Sequence, residues 1–467
     1  MATEQTIKGQ VADGNVFLYP RDEKITMADL LKFIGKNKEL AKGYEHNLEM
    51  YKGDHDILRT QPRMFGPDNR LVANLPHYIV DTYNGFFTGV PPKITLDDKT
   101  DNQILQSWND ENSFQDKLSE ISKQTDIYGR SLAFVYQDED SQTRIAFTSP
   151  ATAFMVYDDT VSRQPYAFVR YWKNTNGIQV GVVYYADGVV SFEDSNFTDE
   201  QPNVFKMVPA VEFYGNEERQ GVFDNVKTLI DELDRVLSQK ANQVEYFDNA
   251  YMKVLGVNLD NDGDGKPDAD LIGNQMIYSP DADAANADVE FLSKPDGDNM
   301  QENIIDRLVS MIYQISMVAN LNDEAFAGNS SGVALQYKLL PMRNMAANKE
   351  RKFTQALRRL YRIIFSAGAV LPEAKADSWQ DLDFNFKRNL PEDLSNDADI
   401  AQKLQGMVSQ ETLLSILPFI DNPQEELKRI KQEKIDNMQD AMKYGPSALD
   451  MNKSGDNDDE EESTDDE

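Results

Sequence analysis

Glu324-Ala-Phe-Ala-Gly-Asn-Ser-Ser-Gly-Val-Ala-Leu-Gln-Tyr-Lys-Leu339 is a small-residue loop that runs into a helical pattern. Its Gly328-Asn-Ser-Ser-Gly332 core has almost nothing to bury, so conformational freedom explains its composition better than core formation does. Upstream, Ile304, Ile305, Leu308, Met311, Ile312 and Ile315 recur at helical spacing and predict a rod over about 301–318. Downstream, Phe353, Leu357, Leu360 and Ile364 predict a helix that continues past Ile364. Pro341 lies inside that helix. Proline lacks an N–H and clashes with the carbonyl four residues back, at a cost of about 3 kcal/mol, which predicts a kink.

Before the upstream rod, residues 252–295 are acidic, with Gly, Pro and short strand-like pieces at Asn274–Tyr278 and Val289–Leu292. Before those, Val226, Leu229, Ile230, Leu233, Val236, Leu237, Val244 and Phe247 mark a first rod. With some 25 residues at 1.5 Å each it would be roughly 40 Å long, and Asp224 is placed to cap it. Two rods flanking an insert predict an antiparallel hairpin with a small β cap on its tip. The N-terminal half predicts an α+β unit. Helices are expected at Thr26–Tyr51, from near Pro76 to Gly89, and at Gln103–Ile127. Strand patterns follow from Gly129 to Phe213, including Ser131–Tyr136, Tyr166–Trp172 and a hairpin, Ile178–Tyr185 with Val189–Phe192, whose Asp187-Gly188 supplies the positive φ of a tight turn. Residues 1–25 are weakly patterned and read as an arm. After a linker at Pro372–Ser378, a strand at Leu382–Phe386 and helices at Asn396–Val408, Gln410–Leu417 and Pro423–Met442 are expected, with Ser409 and Asn422 as N-caps. The fold class is α+β, mainly α.

The 467 residues suffice for two to four packing units. With no Cys, disulfides and thiolate chemistry are excluded. No signal peptide and no membrane span are expected, because no apolar stretch approaches the roughly 20 residues a spanning helix needs. The formal charge of −33 disfavours tight general DNA binding, which depends on Lys and Arg neutralising phosphates. Gly455–Glu467 is self-repelling and predicts disorder. Lys338–Arg362 is the opposite, with eight basic residues and one acid, Glu350. Because its apolar stripe buries one face, pairing with a neighbouring subunit explains it better than a DNA stripe. Lys338, Arg343, Lys349, Arg351, Arg358 and Arg359 are the candidates.

Tests for chemistry are negative. Gly328–Gly332 matches the G-x-S-x-G elbow of hydrolases, but no strand pattern precedes Ser330 and His46, His55 and His77 all lie upstream. Gly35-Lys36 and Gly265-Lys266 lack the rest of a phosphate-binding loop. No enzyme activity and no obligatory cofactor are expected. Asp260, Asp262, Asp264 and Asp268, with Gly265, match the opening of a Ca²⁺ loop, but Leu271 stands where the bidentate Glu belongs. An acidic solvated turn is the ordinary reading, and a weak Ca²⁺ site is the alternative.

Several stretches, in order, resemble the portal proteins of long-tailed phages of Gram-positive bacteria. They are Tyr51-Lys-Gly53 with His55; Tyr78–Thr82 leading to Phe87–Pro91; Val208–Phe213; Leu229–Asp231 with Ser238 and Ala241-Asn242; and Asp323–Gly328 followed by Ser331–Ala334. The resemblance covers about 44–433. It implies a ring-forming portal fold, with an arm over 1–25, a wing over 26–223, stem helices over 224–251 and 299–319, and a clip over 252–298. It further implies a tunnel loop over 320–332, a kinked wing helix with return strand over 333–390, crown helices over 391–452 and a disordered tail over 453–467. A ring of twelve subunits at a capsid vertex of the virion, assembled in the host cytoplasm, is expected to pass double-stranded DNA. Its partners would be the terminase large subunit, the head-completion adaptor, scaffold and major capsid protein. Asn320, Asn322, Asp323, Glu324, Asn329, Ser330 and Ser331 would face the DNA. A neutral or acidic lining suits sliding, since duplex charge recurs every ~1.7 Å and is screened only beyond ~8 Å. The rival reading is a Ca²⁺-stabilised structural virion protein without a channel.

Overall fold

The computed structural model describes residues 7–64, 66–248, 252–257, 276–279, 288–291, 298–322, 332–390, 400–417, 420 and 423–444. The chain divides into two compact units, Met1–Asn389 and Leu390–Glu467.

Strands β1 (Gln10–Ala12) and β2 (Val16–Tyr19) open the first unit, where an arm was expected. All four residues of β2 are buried, and the strand pairs in parallel with Phe17 opposite Val156. A strand covered on both faces reads as a short apolar run, not an alternation, which is why its pattern looked weak. Helix α1 (Met27–Lys52) starts where Thr26 Oγ1 accepts from Asp29 N at 3.2 Å, and Gly53, with φ +84°, ends it. The Asp29 carboxylate accepts from Lys8 N and Gly9 N, tying the first residues to this helix.

Helix α2 (Leu75–Thr88) and strand β3 (Lys93–Thr95) follow. The single helix expected over 103–127 is two, α3 (Lys99–Glu111) and α4 (Phe114–Tyr128). Asn112 Nδ2 donates to Trp108 O, and Ser113 turns left-handed at φ +48°. Asn and Ser offer the backbone such alternatives to helix continuation. Gly129 ends α4 at φ +82°, and a Cβ there would lie 1.9 Å from Arg219 O.

The β region contains β4 (Arg130–Gln137), β5 (Thr143–Thr148), β6 (Ala153–Asp158), β7 (Pro165–Lys173), β8 (Gln179–Tyr184), β9 (Gly188–Glu193), β10 (Asn196–Pro202) and β11 (Ala210–Tyr214). One sheet runs β1-β2-β6-β7-β8-β9-β10 and a second runs β11-β4-β5. The β8–β9 hairpin forms as expected, with Tyr184 opposite Val189. Its turn differs: Tyr185 N donates to Gly188 O, and neither Asp187 nor Gly188 takes positive φ. Leu30, Phe33 and Ile34 of α1 pack on Phe17, Phe154, Val169 and Phe192 of the large sheet.

Helix α5 (Lys227–Asp248) is the first rod, about 33 Å long at 1.5 Å per residue. Asp224 does not cap it. It sits within a 3-10 turn (Asp224–Val226) and accepts from Gly221 N at 2.6 Å, Asn47 Nδ2 at 2.9 Å and Lys227 Nζ at 2.6 Å. Strands β12 (Met252–Leu255), β13 (Met276–Ser279) and β14 (Asp288–Phe291) form a three-stranded sheet with β12 central. Helix α6 (Asp298–Ser316) returns antiparallel to α5. Near its start Gln301 bonds Gln243 and Glu302 pairs with Lys240, while its far end meets the 3-10 turn. The expected helix, β insert, helix order is therefore present.

Helix α7 (Gly332–Ser366) is continuous through Pro341. Pro341 and Tyr337, four residues earlier, are both exposed, so the turn that loses its backbone bond lies on an exposed stretch. Further along, Phe353 stacks edge-on against Phe87 and Phe213 in the core. A 3-10 stretch (Glu373–Asp381) and β15 (Asp383–Asn385), paired with β3, complete the unit.

The second unit has α8 (Gln410–Ile416), capped by Ser409 Oγ, which accepts from Thr412 N at 3.2 Å. Helix α9 (Pro423–Tyr444) begins at Pro423 as expected and packs on α8. Asn422 and residues 445–467, including the acidic tail, lie outside the described residues.

Candidate conduit loop and its anchorage

The polar face of α5 holds an extended segment that leads to α2. Asn242 Oδ1 accepts from Asn69 N at 2.5 Å, Ser238 Oγ from Leu71 N at 2.9 Å and Asp234 Oδ1 from Ala73 N at 2.7 Å. The match is metrical. Helix positions four apart rise about 6 Å, and alternate residues of an extended chain rise about 6.6 Å. Side chains at i, i+4 and i+8 thus satisfy every second N–H of a chain that has no sheet partner. The next residue, Asn74, caps α2 by accepting from His77 N.

Asp234 also holds His55. Both side chains are 1% exposed, and His55 Nδ1 lies 2.5 Å from Asp234 Oδ2. The other ring nitrogen, Nε2, lies 3.0 Å from Met50 O. A carboxylate and a carbonyl only accept, so both ring nitrogens must carry protons and His55 is an imidazolium. Burial disfavours that charge, but the bond to Asp234 and its field, with the Met50 carbonyl, outweigh burial and raise the His55 pKa above its ordinary value. Of the resembling residues, His55, Ser238 and Asn242 are thus brought together in one clasp on α5, beside Asp234.

The expected loop leaves α6 at its root. Met317 turns left-handed at φ +60°, Val318 is buried, and Asn320 Oδ1 accepts from Asn322 N at 3.1 Å. Leu321 N donates to Tyr78 Oη at 2.9 Å, and the Tyr78 ring meets Tyr313 edge-on at 5.7 Å. Because Tyr78 is on α2, the loop root and the α5 clasp hang from one continuous segment, 69–78. Asn320 and Asn322 are placed there. Asp323, Glu324, Asn329, Ser330 and Ser331 lie outside the described residues, as do Asp260, Asp262, Asp264 and Asp268.

The basic residues of α7 divide. Lys338, Arg343 and Arg351 are exposed. Arg358 donates to Gln380 O at 3.1 Å and lies over the Phe384 ring, while Arg359 points into a cavity with Trp379. Lys349 corrects its expected role, because it is not available to a neighbouring subunit. Its side chain is 2% exposed, bonded to both Asp126 oxygens at 2.7 and 2.8 Å and to Ser122 Oγ at 2.8 Å. The rings of Phe87, Tyr83 and Phe353 surround its ammonium at 4.7–5.2 Å. Burial pushes Asp126 up to about 6 against the pull of Lys349, and burial lowers Lys349 in turn. Its partner is 223 residues away in the chain, so no local spacing signals the pair. The Tyr78 anchor is equally long-range, 243 residues from Leu321.

Comparison with known proteins places these elements. A family model described as "Phage portal protein, SPP1 Gp6-like" matches residues 30–440. The portal protein of Bacillus phage SPP1 is 26% identical over 400 residues, 78% of this chain and 76% of the relative. The portal protein of Clostridium phage phiCD119 is 21% identical over 428 residues, 84% of this chain and 92% of the relative. The clasp, the hairpin and the root of the loop all fall inside the matched span, and the chain belongs to the SPP1 Gp6-like family of phage portal proteins.

Proposed function

We propose that this portal protein forms the ring conduit through which double-stranded viral DNA is packaged and ejected. The observation that carries the reading is the passage from the α5–α6 hairpin, through a root fixed on Tyr78, into a Gly-Asn-Ser loop and then α7. A hairpin that ends on a fixed root presents the following residues at a set place in each subunit, and twelve such loops arranged in a ring would line a channel. The regions then follow the sequence boundaries: wing 26–223, stem helices 224–251 and 299–319, clip 252–298, tunnel loop 320–332, wing helix 333–390 and crown 391–452. Residues 10–19 are read with the wing rather than as an arm, because β2 is buried and pairs with β6, and the more exposed β1 pairs with β2.

The ring occupies one capsid vertex of the virion, after assembly in the host cytoplasm with scaffold and major capsid protein. It docks the terminase large subunit during packaging and the head-completion adaptor afterwards. It works without catalysis or a resident metal. Among the described residues no helix is long and apolar enough to cross a membrane. Asn320, Asn322 and the polar residues through Ser331 touch DNA without gripping it. Deleting Gly328–Gly332, or making Asn329→Trp, is expected to change packaged DNA length or retention in virions. Unchanged length and retention in both variants would remove the loop as a DNA contact.

A further inference from the structure

One group left without a partner among the described residues is the buried Nε of a partly exposed arginine, Arg359. A cavity of 530 Å³ lies among β6, the turn before β7, β11, α7 and Trp379. Arg163, Arg219, Lys352, Arg358, Arg359 and Arg362 border it, against two carboxylates, Glu212 and Glu217. Both carboxylates are already engaged. Glu212 takes Arg219 Nε at 3.0 Å, Arg130 Nη1 at 3.1 Å and the Tyr157 hydroxyl at 2.6 Å. Glu217 pairs with Lys352. Arg359 has no ion pair or hydrogen bond with any described residue, and its Nε is buried without a partner. The indole Nε1 of Trp379 is a second buried donor without a partner. The guanidinium of Arg362 lies over the Trp379 ring, 5.3 Å from its centroid.

Buried donors are nearly always satisfied, and one that is not calls for a ligand or another specific reason. Burial, with Arg362 adding repulsion, pushes Arg359 down to about 10 despite the opposing field of Tyr157. In a chain of net charge −33, a cavity with this excess of cations is a local inversion of the molecule's field. Its size is that of a small-molecule site.

We propose that the cavity is an oxyanion site that takes a small phosphate-class ligand, with Arg359 and Trp379 as the inner donors and Arg362 as the outer fork. A carboxylate holds its two oxygens in one plane, whereas a phosphate presents oxygens in several directions and can meet Arg359 and Trp379 on one side and the planar Arg362 fork on another. The inference stands independently of the conduit reading, since the cavity lies within one subunit.

The test is thermal melting of the full chain with pyrophosphate and with inorganic phosphate, at constant ionic strength set by sodium chloride. Pyrophosphate is expected to raise Tm by about 2–4 °C at saturating excess. Arg359→Met should raise the ligand-free Tm, because it removes a buried unpaired donor and a partly buried charge with no ion pair among the described residues, and should abolish the pyrophosphate shift. Trp379→Phe should weaken apparent affinity about tenfold, the worth of one good hydrogen bond. If Arg359→Met does not fold, isothermal titration of wild type and Trp379→Phe with pyrophosphate carries the same comparison. The proposal is overturned by a wild-type shift no larger than that in chloride, or by an equal shift in Arg359→Met. A response seen only in dissociated subunits and lost in the assembled ring also overturns it, since a second copy's carboxylate would then fill the cavity.

Discussion

Replacing Asp234 separates the clasp into its parts. Asp234→Ala removes the counter-charge of His55 and the acceptor of Ala73 N in a site where both side chains are 1% exposed. Breaking a buried pair from one side costs about 3–5 kcal/mol. Part is recovered because the imidazolium can release its proton, so the cost should fall near 3 kcal/mol, of which about 1–3 is the orphaned Ala73 N–H. Asp234→Asn should be milder, near 1 kcal/mol. Its Oδ1 still accepts from Ala73 N, and its Nδ2 can donate to the Nδ1 of a neutral His55 whose Nε2–H keeps the Met50 carbonyl. The pH dependence separates the variants further. The His55 pKa is raised on folding, so its contribution is fully present below the unfolded value of about 6.5 and is lost as pH rises through the folded value. Urea unfolding of the dissociated subunit from pH 6 to pH 9 reads both effects. Wild type should lose stability across that window, with Asp234→Asn flatter. Equal costs for Asp234→Ala and Asp234→Asn, or a wild-type curve with no fall, would refute the imidazolium assignment.

Other expectations follow from the same contacts. Lys349→Met should destabilise by about 3–5 kcal/mol in chemical denaturation, and adding Asp126→Leu should restore most of the loss, because the buried carboxylate is then no longer stranded. Tyr78→Phe removes the acceptor of Leu321 N, so hydrogen exchange at 320–322 should quicken about fivefold, the equivalent of about 1 kcal/mol, with the melting temperature little changed. Calorimetric titration with Ca²⁺ should give no calcium-specific heat, and Asp262→Ala should behave identically, because the position of the bidentate Glu is occupied by Leu271.

The elements that periodicity could reach were legible. The stripes of α5 and α6, the β pieces between them, the β8–β9 pairing and the Ser409 cap follow from local pattern, and local pattern is what a single sequence carries. Strand β2 was missed because burial on both faces erases the alternation that marks a strand. The α3–α4 break was missed because apolar spacing continues across Asn112-Ser113, while the Asn112 side chain takes the Trp108 carbonyl and the Ser113 backbone turns left-handed. The expected positive φ at Asp187-Gly188 failed because the turn is closed one residue earlier, by Tyr185 N on Gly188 O. Long-range polar pairs escape any such reading. His55 was one of three scattered histidines within a resembling motif, and Lys349 was one cation of a run expected to pair with a neighbouring subunit. What each does depends on Asp234 and Asp126, which no spacing rule connects to them. The i, i+4, i+8 set Asp234, Ser238 and Asn242 was in principle visible as a polar stripe opposite the apolar one. Nothing in the sequence indicated that an extended segment would lie along it.

In the proposed ring, the hairpin, the anchored loop and α7 assemble around a channel. Electron microscopy of the purified full-length protein tests it most directly. Turbine-shaped rings with a central hole, narrowest at the level of the loop that leaves Leu321, are the expected result. Particles that form no ring, or rings whose 320–332 loops face away from the axis, would contradict it.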